Sequence, residues 1–188
     1  RQIYEKSNCK SSYKLSKNLV LTGMMGVGKS TIGKSLAEKL SFRFIDVDKL
    51  IEAKEGCSIN HIFKNKSENY FRRIEKIISL QQLKKDKSII SLGGGAFLNK
   101  TIRREVKKSS ISFWLDVDVD GLVKRLSKTK KRRPLLFKKN LRTTINKIYL
   151  ERKKIYNEAD FRIKCNFLRP TIIVDEVLNL YEKSGNKI

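Results

Sequence analysis

The sequence predicts an α/β protein of three layers, in which helices cover both faces of a five-stranded parallel sheet. Short apolar runs alternate with helical patterns along the chain, and this alternation is typical of parallel sheets. A glycine-rich segment stands between the first apolar run and the first helical pattern, as in folds that bind ligands at the carboxyl ends of their strands. We expect one domain over residues 18–188, after a poorly ordered extension at 1–17.

The expected element boundaries follow from changes in hydrophobic period. Strands are expected near residues 19–21, 42–45, 88–91, 111–115 and 161–164. Helices are expected near residues 29–40, 48–54, 67–85, 101–107, 119–127, 141–158 and 171–183. Trp114 continues the fourth strand and is expected in the core. Arg103 and Arg104 are expected on a solvated helix face.

Residues 128–140 interrupt this alternation. The segment is dense in basic residues, contains Pro134 and has no clear period. We interpret it as a mobile lid over the site, because segments of this kind close over bound ligands in many enzymes. A plain solvated loop is the alternative.

The composition favours a folded protein without a membrane span. Of the 188 residues, 39% are hydrophobic, and no apolar run approaches the ~18 residues that a membrane helix needs. Three widely spaced cysteines, Cys9, Cys57 and Cys165, match no metal-binding pattern, which indicates a reduced, cytoplasmic protein. The first residues lack the apolar core of a secretory signal; a trimmed organellar targeting segment is the alternative to a simple extension.

The formal net charge of +24 raises the question of nucleic-acid binding. Most of the 43 basic residues are lysines spread along the whole chain, which favours a general bias in composition over a binding stripe. We therefore expect no specific nucleic-acid partner. The alternative is a basic nucleic-acid-binding protein in which the glycine-rich segment is a vestigial phosphate-binding loop. This alternative predicts a contiguous basic stripe away from that segment.

The segment from Gly23 to Ser30 has the pattern G-x-x-x-x-G-K-S of a phosphate-binding loop. Glycines let backbone N–H groups turn towards a phosphate, and the positive end of the following helix adds to the attraction. We expect Lys29 to bind the β- and γ-phosphates of a nucleotide and the Ser30 hydroxyl to bind its Mg²⁺. A turn that only joins strand to helix is the alternative. The expected nucleotide-binding residues of the loop are Gly26, Val27, Gly28, Lys29, Ser30 and Thr31.

Asp46 and Asp48 stand at the end of the second predicted strand. Because alternate residues of an extended segment share a face, both carboxylates are expected to point the same way, towards the phosphate loop. One would hold Mg²⁺, directly or through water, and the other would accept the proton of an attacking hydroxyl. A role for Asp48 as a helix N-cap and nothing else is the alternative.

Three consecutive glycines, Gly93, Gly94 and Gly95, follow the third predicted strand. Such a run is entropically unfavourable, which indicates that the backbone needs either positive φ or a close approach to a ligand. Arg72 and Glu75 stand three residues apart on a predicted helix, where the carboxylate would fix the direction of the guanidinium. A surface ion pair of little energetic importance is the alternative.

With these motifs the chain resembles the shikimate kinase family, over about residues 18–160. The motifs occur in family order along most of the chain. They are the phosphate loop, Asp46-x-Asp48, Phe71-Arg72-x-x-Glu75, Gly93-Gly94-Gly95, the lid segment Arg133-Pro134-Leu135-Leu136, and Arg152 with Tyr156, Glu158 and Ala159. The resemblance implies a P-loop NTPase fold of the nucleoside-monophosphate-kinase type, with a substrate-binding region near residues 48–85.

The resemblance also implies an activity, which is transfer of the γ-phosphoryl group of ATP to the 3-hydroxyl of shikimate in aromatic amino acid biosynthesis. It implies that Asp48 binds the substrate hydroxyls and acts as the base. Asp46 would position the Mg²⁺ shell together with Ser30. Lys29 and the lid residue Arg133 would neutralise charge on the phosphates from two sides.

On the substrate side, the resemblance implies that Arg72 and Arg152 bind the shikimate carboxylate. Glu75 would orient Arg72, and the backbone of residues 93–95 would line the ring. Arg125 is the nearest candidate for the arginine that stacks on adenine in the family.

The chain departs from the family pattern at two places. Ser67 replaces a common glycine, and Lys154 stands where the family commonly has a proline. Another small-molecule kinase of the same build, such as a gluconate kinase, stays as an alternative to shikimate kinase. We expect the protein to act as a monomer.

Overall fold

The described residues, 17–128, 140–166 and 168–185, form five strands and eight α-helices in a computed structural model. The strands are β1 (Asn18–Thr22), β2 (Arg43–Asp46), β3 (Ser88–Ser91), β4 (Ser110–Asp116) and β5 (Phe161–Lys164). The helices are α1 (Lys29–Leu40), α2 (Val47–Glu55), α3 (Ile59–Asn65), α4 (Glu68–Leu83), α5 (Lys100–Ser109), α6 (Val119–Ser127), α7 (Leu141–Tyr156) and α8 (Pro170–Lys183), and a 3-10 turn spans Ala96–Leu98. The predicted extension up to residue 16 and the predicted lid over 129–139, with Arg133, lie outside the described residues.

The five strands are parallel and lie in the order β2, β3, β1, β4, β5. Connections between parallel strands are right-handed. The connection from β1 to β2 runs towards one edge of the sheet, and the later connections run towards the other edge. The connection through α1 therefore crosses one face of the sheet, and the later connections cross the opposite face. Helix α8 contacts α1 and completes the first face. The predicted three-layer fold with a five-stranded parallel sheet is therefore confirmed.

The core lies on both sides of the central strands. All five residues of β1 are buried, as are Phe113 and Trp114 in β4. Strands buried on both faces carry continuous apolar runs, which explains why the sequence pattern locates them well. The core position predicted for Trp114 is confirmed. None of the helices in the described ranges is long and apolar enough to cross a bilayer.

The order of the strands places the carboxyl ends of β1 and β3 side by side. The connections that leave these two neighbours run in opposite directions, which opens a crevice between them. The segment from Gly23 to Ser30 follows β1, and the glycines at 93–95 follow β3. The two glycine-rich motifs therefore meet at the crevice where this kind of sheet binds ligands.

The backbone at Ser67, which precedes α4, is strained. Its φ of 114° and ψ of 161° lie in a region that is essentially restricted to glycine. The Ser67 hydroxyl accepts a hydrogen bond from the backbone N–H of Tyr70 at 3.3 Å and so caps the helix. Ser67 thus keeps a cap at a position where the resemblance leads us to expect glycine.

We predict that Ser67→Gly raises the free energy of unfolding by about 1 kcal/mol, because it relieves the backbone strain. Loss of the helix cap and greater freedom of the unfolded chain both oppose this gain, but their sum is smaller. Chemical denaturation of both proteins measures the change.

Ser58→Gly is the matched control for this prediction. Ser58 caps α3 in the same way, by accepting from the His61 N–H, but its φ of −69° is unstrained. This variant should lower the free energy of unfolding. If Ser67→Gly lowers it as well, the strain assigned to Ser67 is wrong.

Candidate active site

The phosphate loop between β1 and α1 has the shape that its glycines predict. Gly23 has a φ of +134°, and a Cβ at this position would lie 2.5 Å from the backbone oxygen of Leu115 in β4. Only glycine fits there. Gly28, with a φ of 101°, directly precedes α1. No side chain caps the N-terminus of α1, and the first turn of the helix contains no acidic residue. The N-terminal N–H groups of α1 are therefore placed to bind an anion.

Lys29 spans the phosphate loop from the first turn of α1. Its Nζ donates hydrogen bonds to the backbone oxygens of Gly23 at 2.9 Å and Met24 at 3.0 Å. The ammonium group is thus held over the loop opening, where it would meet the phosphates of a nucleotide. The phosphate-binding role of Lys29 stays a prediction.

Asp46 joins the phosphate loop to the start of α2. One carboxylate oxygen accepts a hydrogen bond from the Ser30 hydroxyl at 2.7 Å, and the other accepts from the backbone N–H of Lys49 at 3.3 Å. Asp46, rather than Asp48, is the N-cap of α2. The alternative that makes Asp48 a cap is therefore wrong.

Asp48 lies in the first turn of α2 and not on an extended strand. The expectation that an extended backbone brings Asp46 and Asp48 to one side is wrong, because the helix begins at Val47. The two carboxylates nevertheless line the same cleft. Its volume is about 210 Å³, and it is lined by Met25, Gly26, Gly28, Lys29, Ser30, Thr31, Asp46, Asp48, Ser91, Leu92 and Gly94.

The glycine turn at 93–95 brings charged side chains close to the backbone. A Cβ on Gly93 would lie 2.5 Å from Oε1 of Glu75 and 2.6 Å from Oδ1 of Asp48, and one on Gly95 would overlap the guanidinium of Arg72. None of the three glycines has a positive φ. The positive-φ explanation for these glycines is therefore wrong. The groups that approach Gly93 and Gly95 are side chains from α2 and α4, and the close approach of a ligand stays a prediction.

Arg72 is held by two carboxylates of its own helix. Its Nη1 donates to Glu75 at 2.8 Å, and its Nη2 donates to Glu68 at 3.0 Å. The Glu75 side chain is only 3% exposed, so the alternative of a surface ion pair is wrong. Burial raises the pKa of the Glu75 carboxyl, and the Arg72 guanidinium opposes this shift without cancelling it. The Oε1 atom of Glu75 is buried and has no hydrogen-bond partner among the described residues.

Arg152 approaches the same turn from α7. It is 6% exposed, and its Nη1 donates to the backbone oxygen of Gly94 at 2.8 Å. The Tyr156 hydroxyl, one turn further along α7, donates to the same oxygen. Burial raises the pKa of Tyr156, so this hydroxyl stays a donor at neutral pH. Helices α4 and α7 thus direct one arginine each towards the glycine turn.

A second cleft, of about 240 Å³, lies beside the phosphate loop. Its lining residues are Val117, Asp118, Gly121, Lys124, Arg125, Lys128 and Asn166. Arg125 donates hydrogen bonds to the backbone oxygens of Val27 at 2.9 Å and Cys165 at 3.3 Å. Among the predicted nucleotide-binding residues, Arg125 lines this cleft and Val27 is bonded to it, while Gly26, Gly28, Lys29, Ser30 and Thr31 line the first cleft.

Two polar arrangements were not predicted from the sequence. Asp116, at the end of β4, accepts hydrogen bonds from Arg162 at 2.7 Å and from the Tyr149 hydroxyl at 3.0 Å. Burial, with the neighbouring Asp116, raises the pKa of Tyr149 to about 12. Arg103 donates to backbone oxygens near the glycine turn, so a solvated face is wrong for Arg103. Helical periodicity gives no signal for either arrangement, because the partners lie far apart in the sequence or on the backbone.

The residues present suit a hard cation at the phosphate loop. The Ser30 hydroxyl and the Asp46 carboxylate are adjacent oxygen groups in the cleft, and Mg²⁺ prefers a few oxygen ligands together with water and phosphate. Within the described ranges, no cluster of three or more His, Cys, Asp or Glu side chains could hold a metal. The donor set therefore fits a metal that arrives with a nucleotide rather than a site built by protein alone.

The chain is similar to known proteins over most of its length. A family model described as Shikimate kinase matches residues 25–182. A shikimate kinase from Persephonella marina is 43% identical over 162 residues, which cover 86% of this chain and 97% of that protein. Another from Sulfurihydrogenibium is 42% identical, with coverage of 86% and 96%.

Solved structures give the same result for the fold. The structure of shikimate kinase from Acinetobacter baumannii in complex with shikimate has a TM-score of 0.87 and 30% identity, and the match covers 93% of this chain and 97% of that one. A gluconokinase from Sinorhizobium meliloti has a TM-score of 0.61 and 15% identity, with 90% and 93% covered; this likeness extends to the fold alone. The motifs, the geometry of the two clefts and these matches agree, and the chain belongs to the shikimate kinase family.

Proposed function

We propose that this protein transfers the γ-phosphoryl group of ATP to the 3-hydroxyl of shikimate, giving shikimate 3-phosphate and ADP. One observation carries the proposal. The phosphate loop and Asp48 line the same cleft, and the glycine turn at its side is approached by Arg72 and Arg152. A nucleotide and a small hydroxylated carboxylate would therefore meet at this point.

The nucleotide side of the proposal rests on the two adjoining clefts. The triphosphate would lie on the loop, where the N-terminus of α1 and Lys29 supply positive charge. The base would enter the second cleft, where Arg125 lies beside Val27. An arginine held by backbone oxygens presents a flat face on which an adenine ring can stack.

The metal side of the proposal rests on Ser30 and Asp46. These residues would hold Mg²⁺ with the phosphates, and the ion would neutralise charge on the β- and γ-phosphates. The protein itself fixes the Ser30 hydroxyl oxygen and the Asp46 carboxylate oxygen next to each other. Asp46 is held at its other oxygen by the Lys49 N–H, so its carboxylate has a defined orientation.

The acceptor side of the proposal assigns the carboxylate of shikimate to Arg72 and Arg152, since guanidinium groups bind carboxylates at two points. Glu75 orients Arg72, and the backbone of residues 93–95 lines the ring. Asp48 accepts the proton of the 3-hydroxyl while the hydroxyl oxygen forms a bond to the γ-phosphorus. The bond between the γ-phosphorus and the β,γ-bridging oxygen breaks, and that oxygen leaves with ADP. Arg133, which lies outside the described residues, keeps its predicted role in neutralising phosphate charge.

A gluconate kinase is the main competing assignment, because that class shares the fold. The two arginines at the glycine turn and the family match over residues 25–182 favour shikimate. We further propose that the protein acts in the cytoplasm, because its three widely spaced cysteines match no metal-binding pattern and indicate a reduced environment. We also propose that it is a monomer.

ADP release in a coupled assay tests the proposed function. Purified protein is assayed with ATP and either shikimate or gluconate, with Mg²⁺ and with excess chelator. Turnover with shikimate that requires Mg²⁺ is expected. Turnover with gluconate but not shikimate would refute the assignment.

We predict that Asp48→Asn lowers kcat by about 100-fold or more, because general-base catalysis contributes on the order of 10²–10⁴, and that it leaves ADP affinity within about twofold. Steady-state kinetics and calorimetric titration with ADP measure the two effects. Asp86→Asn, which changes an exposed carboxylate remote from the cleft, is the control. An equal loss of nucleotide binding and turnover would contradict the role of Asp48.

We predict that Arg152→Ala raises the KM for shikimate by about 10- to 100-fold, since a charge-assisted hydrogen bond contributes about 1.5–3 kcal/mol. The KM for ATP should change much less, because Arg152 does not line the phosphate loop. Lys147→Ala removes an exposed cation from the same helix and serves as the control. An unchanged KM for shikimate would remove Arg152 from the acceptor site.

A further inference from the structure

We propose that Arg103 is a positioning residue for the acceptor site, which it holds in shape without touching substrate. The inference rests on the proposed function, because it concerns the same glycine turn. Arg103 lies on α5, outside the two clefts. Its side chain is only 12% exposed, although the residue belongs to a basic, amphipathic helix whose neighbour Arg104 is exposed.

The first contact of Arg103 is with the backbone that continues the glycine turn. Its Nη1 donates hydrogen bonds to the backbone oxygens of Phe97 and Leu98, each at 2.8 Å. These oxygens belong to the 3-10 turn that begins directly after Gly95. Carbonyl groups at the end of a short helix need external donors, and a single guanidinium supplies both bonds here.

The second contact of Arg103 is with the segment that follows α7. Its Nε donates to Oε2 of Glu158 at 3.2 Å, and Lys107 from the same helix contacts this oxygen at 3.3 Å. Glu158 comes two residues after Tyr156. Arg103 therefore joins the far end of the glycine turn to the end of the helix that carries Arg152.

The near end of the turn is joined to the same helix directly. Arg152 and Tyr156 both donate to the backbone oxygen of Gly94. The segment 94–98 is thus attached to α7 at Gly94 and, through Arg103, to Glu158, which lies two residues beyond the end of α7. Arg72 packs against Gly95 in the turn, whereas Arg152 extends from α7. Fixing the turn on α7 fixes the spacing of the two guanidinium groups.

The nucleotide side of the cleft is built without Arg103. Lys29 is held by the oxygens of Gly23 and Met24, and Asp46 is held by Ser30 and Lys49. Loss of Arg103 should therefore loosen the acceptor site and leave the phosphate site as it is. A residue that mattered only for folding would instead reduce the amount of active enzyme and leave both KM values unchanged.

The test compares Arg103→Met with Arg104→Met, which removes an exposed arginine from the same helix. We expect Arg103→Met to raise the KM for shikimate about tenfold, to lower kcat less than threefold and to leave the dissociation constant for ADP within about twofold. Arg104→Met should match the wild-type protein in all three quantities. Amide hydrogen exchange at Ala96, Leu98 and Asn99, whose N–H groups are bonded within the turn, should become faster in Arg103→Met only.

Two further variants keep the test decisive if Arg103→Met folds poorly. Arg103→Lys keeps the charge but cannot contact the turn and Glu158 at the same time. Glu158→Gln leaves the hydrogen bonds from Arg103 to Phe97 and Leu98 in place and removes the negative charge of its partner in the ion pair. Each should raise the KM for shikimate by about threefold without affecting ADP binding. A wild-type KM for shikimate in these variants would overturn the inference. Absence of shikimate turnover in the wild-type protein would refute the proposed function instead, so the two failures are distinct.

Discussion

The proposed acceptor half of the site depends on backbone without side chains at residues 93–95. Oxygen atoms of Asp48 and Glu75 fill the space in which a Cβ of Gly93 would lie, and the guanidinium of Arg72 fills that of Gly95. Buried charges are stable only when opposite charges or hydrogen bonds lie close by. A side chain on this turn would push the acids and the guanidinium apart. The bare backbone therefore permits two acids and a guanidinium to share one small space.

Asp46 links this half of the site to the nucleotide half. It caps α2, which carries Asp48, and it bonds to Ser30 at the start of α1. A helix cap fixes the orientation of the first turn, so the position of Asp48 follows from the same side chain that would hold the metal. The phosphate loop itself is fixed from the other side by Leu115 of β4, which leaves no room for a side chain at Gly23. Phosphoryl transfer mainly requires alignment of donor and acceptor. In the proposed function, this alignment would depend on the Asp46 carboxylate and on the backbone contacts at Gly23 and at residues 93–95.

Much of the fold follows from local pattern, and much of the site geometry does not. The buried strands were located because continuous apolar runs have few alternatives, whereas α3 was missed because it has only seven residues. The sequence contains no local signal for strand neighbours, so the insertion of β3 between β1 and β2 had to be seen in the structure. Asp46 and Asp48 were correctly grouped for a wrong reason, since a helix begins between them. The contacts of Arg103 with Phe97 and Leu98 depend on the position of a 3-10 turn in space, which no hydrophobic period encodes.

The attachment of the glycine turn to α7 has a consequence for synthesis of the protein. Gly23 packs against β4, and the turn at 94–98 is completed by residues of α7 and by Glu158. A nascent chain that ends before β4 lacks one wall of the phosphate loop, and one that ends before α7 lacks the second arginine. Domains generally fold as units. The hydrogen bonds that hold Gly94 can therefore form only once α7 has been synthesised.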